Sequence, residues 1–166
     1  REQGSRAEGE AAQPHLALAV SAYREALTVQ TKQALPQDWA GTQNNLGTAL
    51  SDQAHRTQGE AGTPLLALAV SAYREALTVF TKQALPQHWA GTQNNLGTAL
   101  RDQASRLPAD HPGRKNLLTQ AINVYRAALT VRTQAVFPID WAQTQKNLAQ
   151  ACVLLPDDRC AADGFS

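Results

Sequence analysis

Apolar residues recur at every third or fourth position along most of the chain, which is the pattern of amphipathic helices. Over residues 64–85 they stand at Leu66, Ala69, Val70, Tyr73, Ala76, Leu77, Phe80 and Ala84. The alternation at every second residue that marks a β-strand is absent. Prolines separate the stripes, because proline fits the first turn of a helix and interrupts its interior. The pattern predicts an all-α protein with helices over residues 14–35, 36–56, 64–85, 86–106, 112–136 and 138–155.

The helical stripes belong to an internal repeat. Residues 16–55 return at residues 66–105 with only Gln30/Phe80, Asp38/His88, Ser51/Arg101 and His55/Ser105 exchanged, and a more diverged copy covers residues 118–152. Self-similarity of this length indicates stacked helical units that share a continuous core. We expect six antiparallel helices over residues 14–155, a linker over residues 1–13 and a flexible tail over residues 156–166. We interpret the chain, which contains no methionine, as a piece of a longer array.

Composition narrows the class of partner. Only 17% of the residues are charged, the net charge is +1, and no basic run exceeds Arg114-Lys115. We therefore do not expect binding to nucleic acid, which depends on clustered positive charge. No apolar run approaches the roughly 20 residues that a membrane span needs, so we expect no membrane partner. No charged and then apolar leader opens the sequence, from which we predict a cytoplasmic location.

The two cysteines both lie near the C-terminal end of the sequence. Cys152 stands at the position of Leu50 and Leu100 in the repeat, which indicates a small buried apolar side chain. Secreted frameworks held by disulfides need more cysteines than this. No bond between Cys152 and Cys160 is therefore predicted.

Three features of each unit resemble the tetratricopeptide repeat: a Leu-Gly pair, an alanine four residues before a tyrosine, and a proline at the helix boundary. They are Leu46-Gly47 and Leu96-Gly97; Ala19, Ala69 and Ala121 with Tyr23, Tyr73 and Tyr125; and Pro36, Pro86 and Pro138. The text Trp-Ala-x-Thr-Gln-Asn-Asn-Leu-Gly-x-Ala-Leu is most similar to the long-unit repeats of kinesin light chains and of bacterial signalling and scaffold proteins. Gln43 and Gln93 stand where the family has tryptophan, and the period exceeds the family's roughly 34 residues. The resemblance implies a right-handed superhelix that binds peptides or proteins.

The second helix of each unit carries a row of polar residues on one flank, and the resemblance implies that this helix faces a concave groove. Asn44, Asn94 and Lys146 are expected beside the row, pointing away from the core. Asparagine suits a groove because its amide can both donate to and accept from a peptide backbone. Alternatively, the asparagines bridge adjacent helices or face solvent, and their recurrence reflects duplication. The predicted peptide-binding groove consists of Asn44, Asn45, Thr48, Asp52, Asn94, Asn95, Thr98, Arg101, Asp102, Lys146, Asn147 and Gln150.

The polar face becomes more positive toward the C-terminal end. Arg101 replaces Ser51, and Lys146 replaces Asn94. We therefore predict a protein or peptide ligand with an acidic or carboxylate-bearing end near the third unit. We expect an affinity around micromolar, which corresponds to about 8 kcal/mol.

Residues for catalysis, metal binding or cofactor binding do not form a recognisable set in the sequence. His15, His55, His88 and His111 have no metal-ligand spacing with one another or with the cysteines. Neither a Gly-rich phosphate loop nor a nucleophile motif is found. We predict a non-enzymatic interaction module that uses no cofactor and no metal.

Two alternative functions stay open. Nearly identical units favour a self-assembling structural scaffold, and similar repeats also form the sensor regions of larger signalling proteins. The first helix presents Leu16, Val20 and Tyr23 without a preceding helix to cover them, and the last helix leaves Trp141 and Leu148 uncovered. These complementary ends predict a homo-oligomer, as head-to-tail rows, a closed ring or a swapped dimer.

Overall fold

The all-α prediction is confirmed over the residues that the structure describes. A computed structural model describes residues 2–155 and Cys160, with side chains from Pro14 onward. This part of the chain contains α-helices and one short 3-10 helix but no strand. The right-handed superhelix stays a prediction. The helices are α1 (Glu2–Val29), α2 (Pro36–Arg56), the 3-10 helix (Gly59–Gly62), α3 (Thr63–Leu77), α4 (Pro86–Ser105), α5 (Pro112–Leu129) and α6 (Pro138–Leu154).

The start of the first helix differs from the sequence prediction. We expected residues 1–13 to form a linker and the helix to begin at Pro14, but α1 begins at Glu2 and Pro14 lies inside it. The sequence before Pro14 is rich in Glu, Ala and Gln, which are good helix formers. Their propensity outweighs the hydrogen bond that a proline removes. Apart from Cys160, the predicted tail over residues 156–166 lies outside the described residues.

The ends of the first helix of each pair also differ, because a capped turn replaces the last predicted helical residues. After α1 ends at Val29, Leu35 N donates to Thr31 O at 2.9 Å and Ala34 N donates to Thr31 Oγ1 at 3.2 Å. Leu35 has left the helical region (φ −136°, ψ 65°), as expected for a residue that precedes a proline. Similar turns follow α3 and α5, which end at Leu77 and Leu129. Ala84 N donates to Thr81 Oγ1 at 3.2 Å, and Phe137 N donates to Thr133 O at 2.8 Å. These turns carry apolar residues at helical spacing, which is why the predicted helices were too long.

The chain divides into two compact units, Arg1–Ala84 and Leu85–Ser166, which we call the N-terminal and the C-terminal unit. In the N-terminal unit, α2 packs against both α1 and α3. Gln30 accepts a hydrogen bond from Thr42 at 2.6 Å at one end of the α1–α2 pair, whereas Leu16 and Asp52 lie together at the other end. Helices α1 and α2 are therefore antiparallel. The buried residues of this unit include Leu46, Leu50, Leu66, Val70 and Tyr73.

In the C-terminal unit, α4 packs against α5 and also touches α6, while α5 packs against α6. Its buried residues include Leu96, Leu100, Leu118, Ile122, Tyr125 and Leu148. These residues occupy the stripes from which the helices are predicted, so the apolar face of each helix is the buried face. Within residues 2–155, none of the helices combines the length and the apolar character that crossing a membrane requires.

One contact recurs in both units: a tyrosine ring packed flat on a helical glycine. A Cβ atom on Gly47 would stand 2.7 Å from the Tyr73 ring, and one on Gly97 would stand 2.6 Å from the Tyr125 ring. Real Cβ atoms do not approach carbon that closely, so each position requires glycine. Each tyrosine hydroxyl also shares a 3.1 Å hydrogen bond with the threonine after the glycine, Thr48 or Thr98. We call this arrangement the Tyr-Gly-Thr contact.

A disulfide joins Cys152 and Cys160, with their Cα atoms 5.6 Å apart. The prediction that these cysteines are not bonded was therefore wrong. Cys152 lies near the end of α6, and Cys160 is buried. Whether two cysteines come within bonding distance depends on how the chain turns between them, and cysteine spacing alone does not specify that path.

The first test concerns the glycine of the Tyr-Gly-Thr contact. We expect Gly97→Ala to lower the free energy of unfolding by about 1–3 kcal/mol, because the new methyl group must displace the buried Tyr125 ring. Gly41→Ala is the matched control, since no atom lies within 4 Å of the position its Cβ would take. The control should gain about 0.5–1 kcal/mol from better helix propensity. Urea unfolding measures the free energy of unfolding of both variants. An equal gain in stability from the two substitutions would contradict the close packing of the Tyr125 ring on Gly97.

Candidate functional site

Three residues of the predicted groove line one open cleft in the N-terminal unit. The cleft has a volume of about 220 Å³ and lies between α1 and α2. Asn45, Thr48 and Asp52 come together because residues three, four and seven apart share one face of a helix. We call this space the α1–α2 cleft. It is lined by Leu16, Ala19 and Tyr23 from α1 and by Asn45, Thr48, Ala49 and Asp52 from α2.

The two walls of the α1–α2 cleft differ in chemistry. The α1 wall is apolar apart from the tyrosine hydroxyl, whereas the α2 wall carries an amide, a hydroxyl and a carboxylate. The Thr48 hydroxyl is already engaged, because it donates to Asn44 O at 3.2 Å and bonds with Tyr73. Asn45 and Asp52 are both exposed. They are therefore the polar groups of this wall that a ligand can use.

The carboxylate of Asp52 differs in its surroundings from its repeat counterpart, Asp102. In the C-terminal unit, Arg101 donates to Asp102 Oδ1 through Nε at 3.0 Å and through Nη2 at 2.8 Å. Ser51 stands at the place of Arg101 in the N-terminal unit. Asp52 therefore lacks the partner that Arg101 provides to Asp102.

The predicted row of the C-terminal unit forms packing contacts. Asn147 on α6 donates from Nδ2 to Asn94 Oδ1 on α4 at 3.0 Å, and Gln143 Nε2 donates to Asn147 Oδ1 at 3.1 Å. Asn94 and Asn147 are each only 8% exposed. The prediction that Asn94 points away from the core was therefore wrong, because α6 covers it. For this pair, the structure realises the alternative in which asparagines bridge adjacent helices.

The remaining predicted residues are distributed as follows. Thr98 bonds with Tyr125, while Arg101 also donates from Nη1 to Gln150 Oε1 at 2.6 Å. Arg101, one of the two residues from which an acidic ligand is predicted, forms an ion pair with Asp102, with 2.8 Å between Nη2 and Oδ1. Lys146 is exposed. Asn44 and Asn95 are both half-buried.

A second cleft, of about 200 Å³, lies in the C-terminal unit and was missed by sequence reasoning. It joins the start of α5 to the end of α6, and it is basic, because Arg114 and Lys115 belong to its wall. Arg114 also donates from Nη1 to Leu107 O at 2.8 Å. The repeat pattern does not predict this cleft, because most of its wall lies outside residues 118–152, the part of the third copy that matches the other two. It is lined by Ala109, Arg114, Lys115, Leu118, Leu154 and Leu155.

No metal centre is formed by the described side chains. Over residues 14–155 and Cys160, no three His, Cys, Asp or Glu side chains stand close enough to share a metal ion. Among the described residues, the largest pKa shift is that of a buried structural tyrosine. Burial away from water raises the pKa of the Tyr125 hydroxyl to about 12, and burial also raises the pKa of Tyr73.

The second test asks whether the asparagine pair is a packing contact. We expect Asn147→Ala to cost about 1–3 kcal/mol of unfolding free energy, because it leaves the buried Asn94 amide oxygen without its donor. Asn45→Ala changes the same repeat position where it is exposed, and should stay within about 0.5 kcal/mol of wild type. Both variants gain the same helix propensity, so the difference reports burial. Similar costs in the two variants would refute the assignment.

The third test uses the raised pKa of Tyr125. The hydroxyl has an ordinary pKa of 10.0 and a folded pKa of about 12, so above pH 10 the unfolded chain releases its proton first. Stability from this group is complete below pH 10 and is lost as the pH rises toward 12. Wild type should therefore lose about 1.4 kcal/mol more than Tyr125→Phe between pH 8 and pH 11. Urea midpoints at both pH values measure this, and parallel losses would show that the hydroxyl is not buried.

Comparison with protein-family models, with curated proteins and with solved structures found no match for this chain. The resemblance to tetratricopeptide repeats therefore stays a prediction from the residues. What the cleft can bind has to be inferred from its own geometry.

Proposed function

We propose that this chain is a non-enzymatic protein-interaction module that holds a segment of a partner protein in the α1–α2 cleft. The observation that carries this proposal is the row of Asn45, Thr48 and Asp52, which faces the apolar wall of α1 across an open cleft. Apolar surface supplies affinity, and a few placed polar groups supply orientation. The resemblance to tetratricopeptide repeats, which bind peptides and proteins, supports the same class of function.

The cleft favours a partner segment that carries a positive charge. Asp52 lacks the arginine that neutralises Asp102, and it stands at the edge of the cleft where a ligand can reach it. Opposite charge across an interface contributes to orientation and specificity more than to raw affinity. The acidic ligand end that the sequence predicts near the third unit stays a separate prediction, although Arg101 is paired with Asp102.

A self-assembling scaffold is the second candidate. Helix α1 exposes Leu18 (66%) and Val29 (77%), and α6 exposes Ile139 (84%) and Val153 (83%). The prediction that Val20 and Leu148 are uncovered was wrong, because they are only 6% and 1% exposed. Contacts between copies would therefore use the other apolar side chains on these two helices. Light scattering behind size exclusion at about 100 µM separates the candidates, since a scaffold requires association without a ligand.

The fourth test measures binding at the cleft. Peptides are selected from a displayed random library on the wild-type chain, and their affinities are measured by fluorescence anisotropy. We expect Asn45→Ala combined with Asp52→Ala to weaken the selected peptides at least about tenfold, which is about 1.4 kcal/mol. Thr48 is left intact because it supports Tyr73. Asp38→Ala, which removes an exposed carboxylate from the first turn of the same helix, is the control and should bind as wild type does.

Two outcomes would contradict the proposal. Either no peptide is enriched above background on the wild-type chain, or the enriched peptides bind the double variant unchanged. Circular dichroism of each variant excludes loss of folding as the cause of weaker binding.

A further inference from the structure

The C-terminal unit shows what fills the counterpart of the α1–α2 cleft. In that unit α4 lies against both α5 and α6. The repeat makes α5 the counterpart of α1, and α6 the counterpart of α2. The pair α1–α2 therefore has the same two faces that receive α4 in the C-terminal unit. Among the described residues of the N-terminal unit, no helix takes the place of α4, and the α1–α2 cleft lies there.

Two residues of the cleft identify the surface of the missing helix. Tyr23 is the counterpart of Tyr125, which packs on Gly97 and bonds with Thr98. In the cleft, Tyr23 is only half-buried. Its ring therefore fits a helix that presents a glycine followed by a hydroxyl residue.

Asn45 is the second residue of the cleft that identifies the surface of the missing helix. It is the counterpart of Asn147, which donates its amide proton to Asn94 Oδ1 on α4. Asn94 lies three residues before Gly97, so both contacts fall on one face of α4. In the cleft Asn45 is exposed. A helix with an amide three residues before its glycine can accept the hydrogen bond from Asn45.

Charge adds a third requirement. On α4, Arg101 lies four residues after Gly97 and donates to Gln150, whose counterpart in the cleft is Thr48. One turn further along α2 stands the exposed carboxylate of Asp52. An arginine at this place on an incoming helix therefore meets a carboxylate.

We infer that the α1–α2 cleft binds a separate amphipathic helix of the pattern Asn-x-x-Gly-Thr-x-x-Arg, the pattern that α4 carries from Asn94 to Arg101. The helix belongs to a partner chain, and it packs its glycine on Tyr23 and its amide on Asn45. This inference rests on the proposed function and names its ligand. Helix α6 of a second copy does not fit, because Ala149 stands at the glycine position and a Cβ there meets the tyrosine ring.

The test uses a fluorescein-labelled peptide of residues 86–106, titrated with the full chain up to about 500 µM and followed by anisotropy. We expect saturable binding that Gly97→Ala in the peptide weakens at least about tenfold, although this change raises helix propensity. Gly91→Ala in the peptide raises helix propensity by the same amount, but the new methyl group lies on another face of the helix. This peptide should therefore bind at least as well as the parent peptide. The 86–106 peptide with Arg101→Ser should bind about three- to fivefold more weakly. The peptide of residues 138–155 should not bind.

Variants of the full chain locate the site. Tyr23→Ala or Asn45→Leu should each abolish saturation by the peptide of residues 86–106, while Asp38→Ala should not. The inference is overturned if that peptide fails to saturate, if Gly97→Ala binds as tightly as the parent peptide, or if the protein variants bind unchanged. If library peptides still require Asn45 and Asp52 while the helical peptide does not bind, the inference is wrong and the proposed function stands. If neither binds, both are wrong.

Discussion

The packing of a tyrosine ring on a helical glycine is the contact on which both units depend. Because Gly47 and Gly97 lack a Cβ, the Tyr73 and Tyr125 rings lie against the backbone of the neighbouring helix. The hydroxyl at the far end of each ring then reaches a threonine and is satisfied although it is shielded from water. A buried polar group without such a partner costs free energy, so ring and hydroxyl are stabilised together. A larger residue at the glycine would force the ring or the helix backbone to shift.

The polar contacts of the C-terminal unit follow from this close approach. With α4 held against α5, and α5 packed against α6, the amides of Asn94 and Asn147 meet and bury their hydrogen bond. Arg101 on α4 reaches Gln150 on α6 for the same reason. Asn45, which occupies the repeat position of Asn147 in the N-terminal unit, is exposed beside the α1–α2 cleft. A residue of one type at one repeat position is thus a packing residue in one unit and a candidate ligand group in the other.

A single exchange within a nearly identical repeat also changes the charge of the two sites. Arg101 in place of Ser51 turns an exposed carboxylate into one that is paired and partly buried. The N-terminal unit lacks this arginine, and the proposal of a basic partner for the α1–α2 cleft rests on that difference. Repetition supplies a rigid frame, and recognition depends on the few positions at which the copies differ.

Local signals in the sequence were sufficient for the class of fold and for the faces that are buried. Apolar spacing predicts helices, and α2, α4, α5 and α6 begin at the prolines that mark them, because proline acts on its own turn. The turn that begins at Thr31, the helical residues before Pro14 and the Cys152 disulfide depend on competition between local hydrogen bonds or on the path of the chain. The burial of Asn147 and the exposure of Asn45 depend on a neighbouring helix that is distant in sequence. Only the packed helices decide this difference, because the residue at this repeat position is asparagine in every copy.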